Sequence, residues 1–397
     1  MFLMGGGENE KMIIENITQK LNRSITIGEE NWELLICSLM SAYAPKIPIN
    51  GLEKRSSIHT IFCGDISSAK TSALHLLAEI SPKYVWIDDS TKASFVGIAT
   101  KNGIQPGIID MCKSGAMFIP EYAKVKIPYL RQFLDNDTIT ISKWGFVKAI
   151  KPKTVMMVAI NPKGDWFLNS KNLRLQINQS EGDLSRFDIM LPTIVNTSLN
   201  EKIIDKMSFF SSDKNFDLGG IKSELRNIKW IMDKIKRVVL AEKQKNRLRD
   251  TFKLHNKNLR GKRPVLLIPR DFETLLRLVN TVVCLNVSRR ENKNERGGLT
   301  VRAEDVDIDK SITLWESIIN KREIIYTSAN RNLINSDLKE RLYEIISGRD
   351  KWKVSELERT IEEYKIMSRA TFYRKLKELI SEDRLKKIGN KPMYVEV

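Results

Sequence analysis

Apolar positions along this chain switch between two periods. Residues 15–46 repeat at helical spacing, with Ile17, Leu21, Trp32, Leu34, Leu35 and Leu39 on the repeating positions. From about residue 55 to 200, short unbroken apolar runs alternate with helical patterns. Ile58, Ile61 and Phe62 run into Gly64, and Ala73, Leu74, Leu76, Leu77 and Ile80 follow at helical spacing. Further runs cover Gly115–Lys124, Thr154–Pro162 and Ile189–Leu191. Alternation of this kind predicts βαβ units, an α/β fold with a parallel sheet covered by helices.

The second half of the chain reads differently. Residues 201–260 are polar, basic and helical, Lys229–Leu240 included, and 269–326 continue as helices around the loop Arg289–Gly298. Residues 327–334 have linker composition. Helical patterns then cover 336–347, 354–363 and 368–380, and Leu385–Val397 reads as a β-hairpin turning at Gly389-Asn390. Three helices and a terminal hairpin predict a winged helix-turn-helix. The expected division is a helical lead-in at 1–54 with a loose start, an α/β core at 55–200, a helical unit at 201–326, a linker at 327–334 and a winged helix at 335–397.

Composition narrows the class. With 397 residues, 42% hydrophobic and 29% charged, the chain has enough material for two or three cores. A net charge of +17 suits a polyanion partner. Cys37, Cys63, Cys112 and Cys284 do not fall at metal-ligand spacing and the three histidines are scattered, so no zinc site is expected. Buried thiols and a reducing cytoplasm fit. No apolar run reaches membrane-spanning length, and residues 1–10 have no signal-peptide core.

The candidate chemistry begins at Gly64, Asp65, Ile66, Ser67, Ser68, Ala69, Lys70 and Thr71, a loop between a predicted strand and a predicted helix. Backbone N–H groups of such a loop wrap phosphates at a helix N-terminus, where the dipole favours anions. Lys70 is placed to reach the β- and γ-phosphates of ATP, and the Thr71 hydroxyl to hold Mg²⁺. Ala69 and Ser67 stand where glycine is common. Downstream, Gly115–Lys124 is an apolar strand that reaches Glu121, Thr154–Pro162 one that reaches Asn161, and Leu184-Ser-Arg-Phe-Asp188 precedes the last run.

In that order the chain resembles the AAA+ motor domain of the MCM (minichromosome maintenance) replicative helicases, whose motifs read Gly-Asp-Pro-Gly-x-Ala-Lys-Ser, Ile-Asp-Glu-Phe, Ala-Asn-Pro and Leu-Ser-Arg-Phe-Asp. Asp137–Gly145 is similar to the family's Gln-Thr-Ile-Ser-Ile-Ala-Lys-Ala-Gly hairpin, and Pro269–Leu278 to its Arg-x-Leu-Glu-x-x-x-Arg-Leu helix. The resemblance covers roughly residues 15–325. It implies an AAA+ P-loop NTPase with a helical lid, working as a homo-oligomeric ring, a hexamer, that encircles and moves along DNA with other replication proteins. In this resemblance Glu121 polarises the attacking water, Asn161 senses the γ-phosphate, Arg186 is the arginine finger acting on a neighbour's ATP, and Arg270 is the lid sensor, with Arg277 two turns on along the same helix. Lys143 and Trp144 at the hairpin tip and Lys101 in a second loop are its DNA contacts. In the winged helix, Arg369, Arg374, Lys375 and Lys377 are candidates to reach phosphates or bases, with Ser368 as a cap; a protein-docking winged helix is the alternative.

Two departures from the pattern matter. Pro120 occupies the place of the Mg²⁺-orienting aspartate, and Asp110 lies in the segment before that strand, so slow hydrolysis is expected. The family's large N-terminal domain is not expected here, which points to a motor plus winged helix, cytoplasmic or nucleoid-associated, of the kind a mobile element carries. Two other readings stay open: an ATP-binding, weakly hydrolysing DNA scaffold of the same fold, and an AAA+ transcription regulator, although no Gly-Ala-Phe-Thr-Gly-Ala-like loop is present.

Overall fold

The structure is a computed structural model and describes residues 13–25, 27–49, 51–89, 91–100, 103–123, 125, 130–143, 146–163, 173–177, 179–193, 217–258, 268–287, 293–295, 298–326, 342–343, 346, 352–363, 369–382, 385–389 and 394–396. Two helices, α1 (Ile13–Ser24) and α2 (Glu29–Ser41), lead into a small hairpin of β1 (Ile47–Ile49) and β2 (Leu52–Lys54). The phosphate-loop unit follows as β3 (Thr60–Gly64) and α3 (Lys70–Ile80), then β4 (Tyr84–Trp86). A short helix α4 (Lys92–Val96) precedes a hairpin of β5 (Gly97–Thr100) and β6 (Gly103–Pro106), and α5 (Ile108–Met111) precedes β7 (Ala116–Ile119). Next come α6 (Leu130–Asn136), the hairpin of β8 (Ile139–Lys143) and β9 (Phe146–Ile150), and β10 (Val155–Ile160). Helical turns α7 (Leu173–Gln176) and α8 (Glu181–Leu184) lead to β11 (Ile189–Thr193).

Five of these strands form one parallel sheet in the order β11-β3-β10-β7-β4. Their side chains alternate between two cores, as the period of a strand requires. Phe62, Phe118, Met157 and Leu191 face one core with α1, α2, α3 and the helices beyond residue 217. Ile61, Met117, Val158 and Met190 face the other with Phe95, Ile109, Phe133 and Phe187. The expected α/β P-loop fold is present. The lead-in is not a separate layer: Asn280 Nδ2 donates to Pro45 O at 2.8 Å, and Lys310 pairs with Glu33 at 2.5 Å and Glu15 at 3.1 Å.

The unit from residue 217, expected to be helical, is not purely so. It comprises α9 (Leu218–Met232), β12 (Ile235–Val239), α10 (Glu242–Asn258), α11 (Pro269–Leu285), β13 (Lys293–Glu295), β14 (Gly298–Arg302) and α12 (Asp305–Tyr326). Strand β12 takes residues that the apolar spacing assigned to a helix. It pairs in parallel with β14, from Ile235 opposite Leu299 to Val239 opposite Arg302, and that pairing partner overrides a local pattern in which helix and strand spacing overlap.

The C-terminal unit has β15 (Trp352–Lys353), α13 (Val354–Glu363), α14 (Arg369–Ser381), β16 (Lys386–Ile388) and β17 (Tyr394–Glu396). Its antiparallel sheet runs β15-β17-β16, and Leu342, Trp352, Leu357, Phe372, Leu376 and Val395 share a core of their own. Ile388 pairs with Tyr394, and Asn390, part of the expected turn, lies outside the described residues. Of the first helical pattern, 342–343 and 346 are helical and the rest lies outside the described residues, as does Ser368.

Candidate nucleotide site

Parallel α/β sheets place ligands at the C-terminal ends of their strands. Here that edge collects Gly64 from β3, Asp88 and Asp89 after β4, Pro120 and Glu121 after β7, and Asn161 after β10. Gly64 lies against β11 so closely that a Cβ there would sit 1.7 Å from Thr193 Oγ1. Ser67 and Ala69 adopt φ of +60° and +59°, the left-handed backbone that glycine takes most readily. The loop therefore keeps a glycine-type path without glycine at either position. Ser68 Oγ donates to Asp65 O at 2.8 Å and lies 3.0 Å from Thr193 Oγ1, which closes the loop onto β11.

Lys70, the first residue of α3, turns its side chain into the loop. Nζ donates to Gly64 O at 2.9 Å, to Ser68 Oγ at 3.1 Å and to Asp65 O. Burial lowers its pKa from 10.5 to about 8, against an upward pull from Asp65. Ile66, Ser67 and Thr71 are exposed. Thr71 opens onto a cavity of about 550 Å³ lined also by His75, Trp86, Asp88, Asp89, Pro120 and Glu121. The structure thus brings Thr71 and Glu121 to one cavity. Asn161 is exposed at the same edge, one residue beyond Ile160, which pairs with Cys63.

Arg186 and Arg270 lie at the other end of the sheet. Ile189 pairs with Thr60 and Thr193 with Gly64, so the segment 184–188 precedes the sheet where the phosphate loop follows it. Five residues of strand put roughly 17 Å between the two ends. There the two arginines share one carboxylate: Arg186 Nε meets Asp135 Oδ2 at 3.0 Å, and Arg270 Nη2 meets Asp135 Oδ1 at 2.7 Å. Arg270 also donates to Ser185 O at 3.1 Å. Arg277 has a different place. It is buried against Asp188 at 2.7 Å, with Arg55 on the same carboxylate at 2.9 Å. Burial alone would raise the Asp188 carboxyl; Arg55 and Arg277 overcome it and hold the group far below the usual carboxylate range. Arg277 is thus a core residue, and Arg270 stands half-buried beside Arg186.

The hairpin β8–β9 pairs Lys143 with Phe146. Trp144 and Lys101 lie outside the described residues. On α14, Arg374 and Lys377 are exposed, and Arg369 is exposed but paired with Glu358 at 2.5 Å. Lys375 must be removed from the DNA-facing set. Its side chain is buried and held by Glu378 at 2.6 Å, because position 375 falls on the apolar stripe with Phe372 and Leu379.

Sequence reasoning missed Asp88, Asp89, Asp135 and the Asp188 cluster. For Asp88-Asp89 a signal existed, two acids ending the apolar run Tyr84–Ile87; the partners of Asp135 lie 51 and 135 residues away, and no local pattern marks them.

Comparison with known proteins agrees with this geometry. The MCM P-loop domain matches residues 6–207, just over half of the chain. The chain is 22% identical over 306 residues to the DNA replication licensing factor mcm-6 of Caenorhabditis briggsae, covering 71% of this chain and 37% of that protein. It is 25% identical over 191 residues to the maternal DNA replication licensing factor mcm6 of Xenopus tropicalis, covering 45% and 23%. It is 23% identical over 269 residues to the minichromosome maintenance protein MCM of Saccharolobus solfataricus, covering 62% and 38%. The matches thus span less than two fifths of the length of these relatives.

Proposed function

The chain belongs to the MCM family, and from that premise we propose that it is an AAA+ ATPase that assembles as a ring of six copies on DNA and couples ATP binding and hydrolysis to translocation or unwinding in replication. One observation carries the reading. The arginines and the phosphate loop occupy opposite ends of the same sheet, roughly 17 Å apart along the strands. No single chain brings them together, so the site is complete only where one subunit's Arg186 and Arg270 face another's Lys70. Replication factors and DNA are then the partners. Lys143 and Lys101 on the two hairpins, with Trp144, are the pore contacts, and Arg369, Arg374 and Lys377 those of the winged helix.

The residues fit ATP·Mg²⁺ by donor chemistry: a loop of backbone N–H groups, a lysine at its base, and a hydroxyl opening onto a cavity that also holds carboxylates. Lys70 would leave its three loop acceptors for the phosphates. Thr71 would hold Mg²⁺, which neutralises phosphate charge when bound. Glu121 orients and polarises the water, and Asn161 fixes it against the γ-phosphate. Arg186 and Arg270 leave Asp135 for the neighbour's phosphates, so Asp135 keeps both in place while the interface is open.

A second reading, a DNA scaffold that binds ATP and hydrolyses it slowly, rests on Pro120. Mixing tests the shared site. Lys70→Ala and Arg186→Ala chains should each be inactive as ATPases, and their mixture should recover part of the activity, since some interfaces then hold both groups. A chain that stays monomeric at micromolar concentration with ATP and DNA, or a mixture as inactive as its parts, would refute the shared site.

A further inference from the structure

We infer that Asp88, from the strand next to Pro120, supplies the Mg²⁺-orienting carboxylate that position 120 lacks; this rests on the nucleotide-site reading above. The register places it. Strands β4 and β7 run parallel with Trp86 opposite Phe118, and Ile87 N donates to Phe118 O at 2.9 Å. Asp88 and Pro120 each lie two residues beyond the Trp86–Phe118 pair, past the ends of β4 and β7. Both residues line the cavity that holds Thr71 and Glu121.

A second set of contacts ties Asp88 to the helix that carries Thr71. His75 is four residues after Thr71 on α3, so the two share a face. The Trp86 ring stacks on His75 with centroids 4.0 Å apart and planes 15° apart. The Trp86 indole N–H then donates to Asp88 Oδ1 at 2.8 Å. Strand end, ring pair and carboxylate are therefore indexed to the Thr71 face of α3. An ionised carboxylate has about four acceptor positions, so one indole bond leaves capacity for water. A carboxylate that acts on Mg²⁺ through water tolerates displacement by one strand better than a direct ligand would, because the water spans the added distance. Asp88 is thus a positioning residue, and Pro120 does not imply a dead site.

The test measures the metal requirement of nucleotide binding. A fluorescent ATP analogue is titrated into the full-length chain across a Mg²⁺ series and in EDTA. Asp88→Asn keeps an acceptor for the Trp86 indole and removes the charge. It should raise the half-saturating Mg²⁺ concentration by about 10- to 100-fold, the usual effect of removing a group that supports a metal ligand, with affinity in EDTA unchanged. Adding Pro120→Asp to Asp88→Asn should restore the wild-type Mg²⁺ dependence. A half-saturation within twofold of wild type in Asp88→Asn would overturn the assignment. So would an equal shift in Asp89→Asn, which would mark a general charge effect, or a normally folded double variant without rescue. If wild type and Lys70→Ala bind the analogue equally weakly, the nucleotide site itself is misassigned and this inference falls with it; Lys70→Ala binding lost beside an unmoved Asp88→Asn sinks the inference alone.

Discussion

Lys70 links ATP affinity to pH, and the size of the effect follows from its burial. Lys70 is 6% exposed, and its ammonium is held by two carbonyls and a hydroxyl, which replace its water shell incompletely. Its pKa of about 8 in place of 10.5 is the result. Only the protonated side chain attracts phosphate, and bound phosphate in turn holds the proton. Between pH 7 and pH 9 the protonated fraction falls from about nine tenths to about one tenth. ATP affinity should fall about tenfold over that interval, or about 1.4 kcal/mol. The nucleotide's own second ionisation, near pH 6, is largely complete before it. Titration of a fluorescent ATP analogue at fixed ionic strength checks the slope. Calorimetry at pH 8.5 in two buffers of different ionisation enthalpy checks the mechanism, because binding should take up between about one half and one proton. Flat affinity from pH 7 to 9 with no proton uptake would refute the reasoning. The unliganded chain should behave in the opposite sense: this group's contribution to folding stability rises as pH passes from about 8 toward 10.5.

Three further outcomes follow from the packing. Arg277→Ala should cost about 3–5 kcal/mol in urea unfolding, because it strips a partner from buried Asp188, whereas Arg270→Ala, at the half-exposed end of the sheet, should cost less than about 1 kcal/mol; equal costs would contradict the division of roles. The Asp188 cluster should contribute fully at neutral pH and lose its contribution as pH falls below the unfolded carboxyl value of about 4, seen as a falling Tm in acid. Ala69→Gly should stabilise the chain by about 1 kcal/mol in the same unfolding assay by relieving the φ of +59°, while Gly64→Ala should lower the Tm and abolish nucleotide binding, its Cβ meeting Thr193.

The sequence by itself determined the elements whose cause is local. A buried parallel strand needs an unbroken apolar run and a helix needs its period, so β3, α3, β7, β10 and β11 were legible, and the phosphate loop with them. The order of motifs also singled out Glu121 and Asn161 just past strand ends, Arg186 in the turn before β11 and Arg270 at a helix start. What the tertiary structure decided were relations between distant residues. Strand order sets β4 beside β7 and so brings Asp88 and Pro120 to one cavity, and no spacing in the chain encodes that neighbourhood. Asp135 gathers Arg186 and Arg270 from 51 and 135 residues away, and Arg277 was separated from Arg270 only by burial. Strand β12 exists because β14 lies alongside it, and Lys375 turns inward because a core formed on its side of α14. Hydrophobic period is written residue by residue, whereas the pairing of charges and the choice of neighbouring strands depend on the free energy of the whole packed chain.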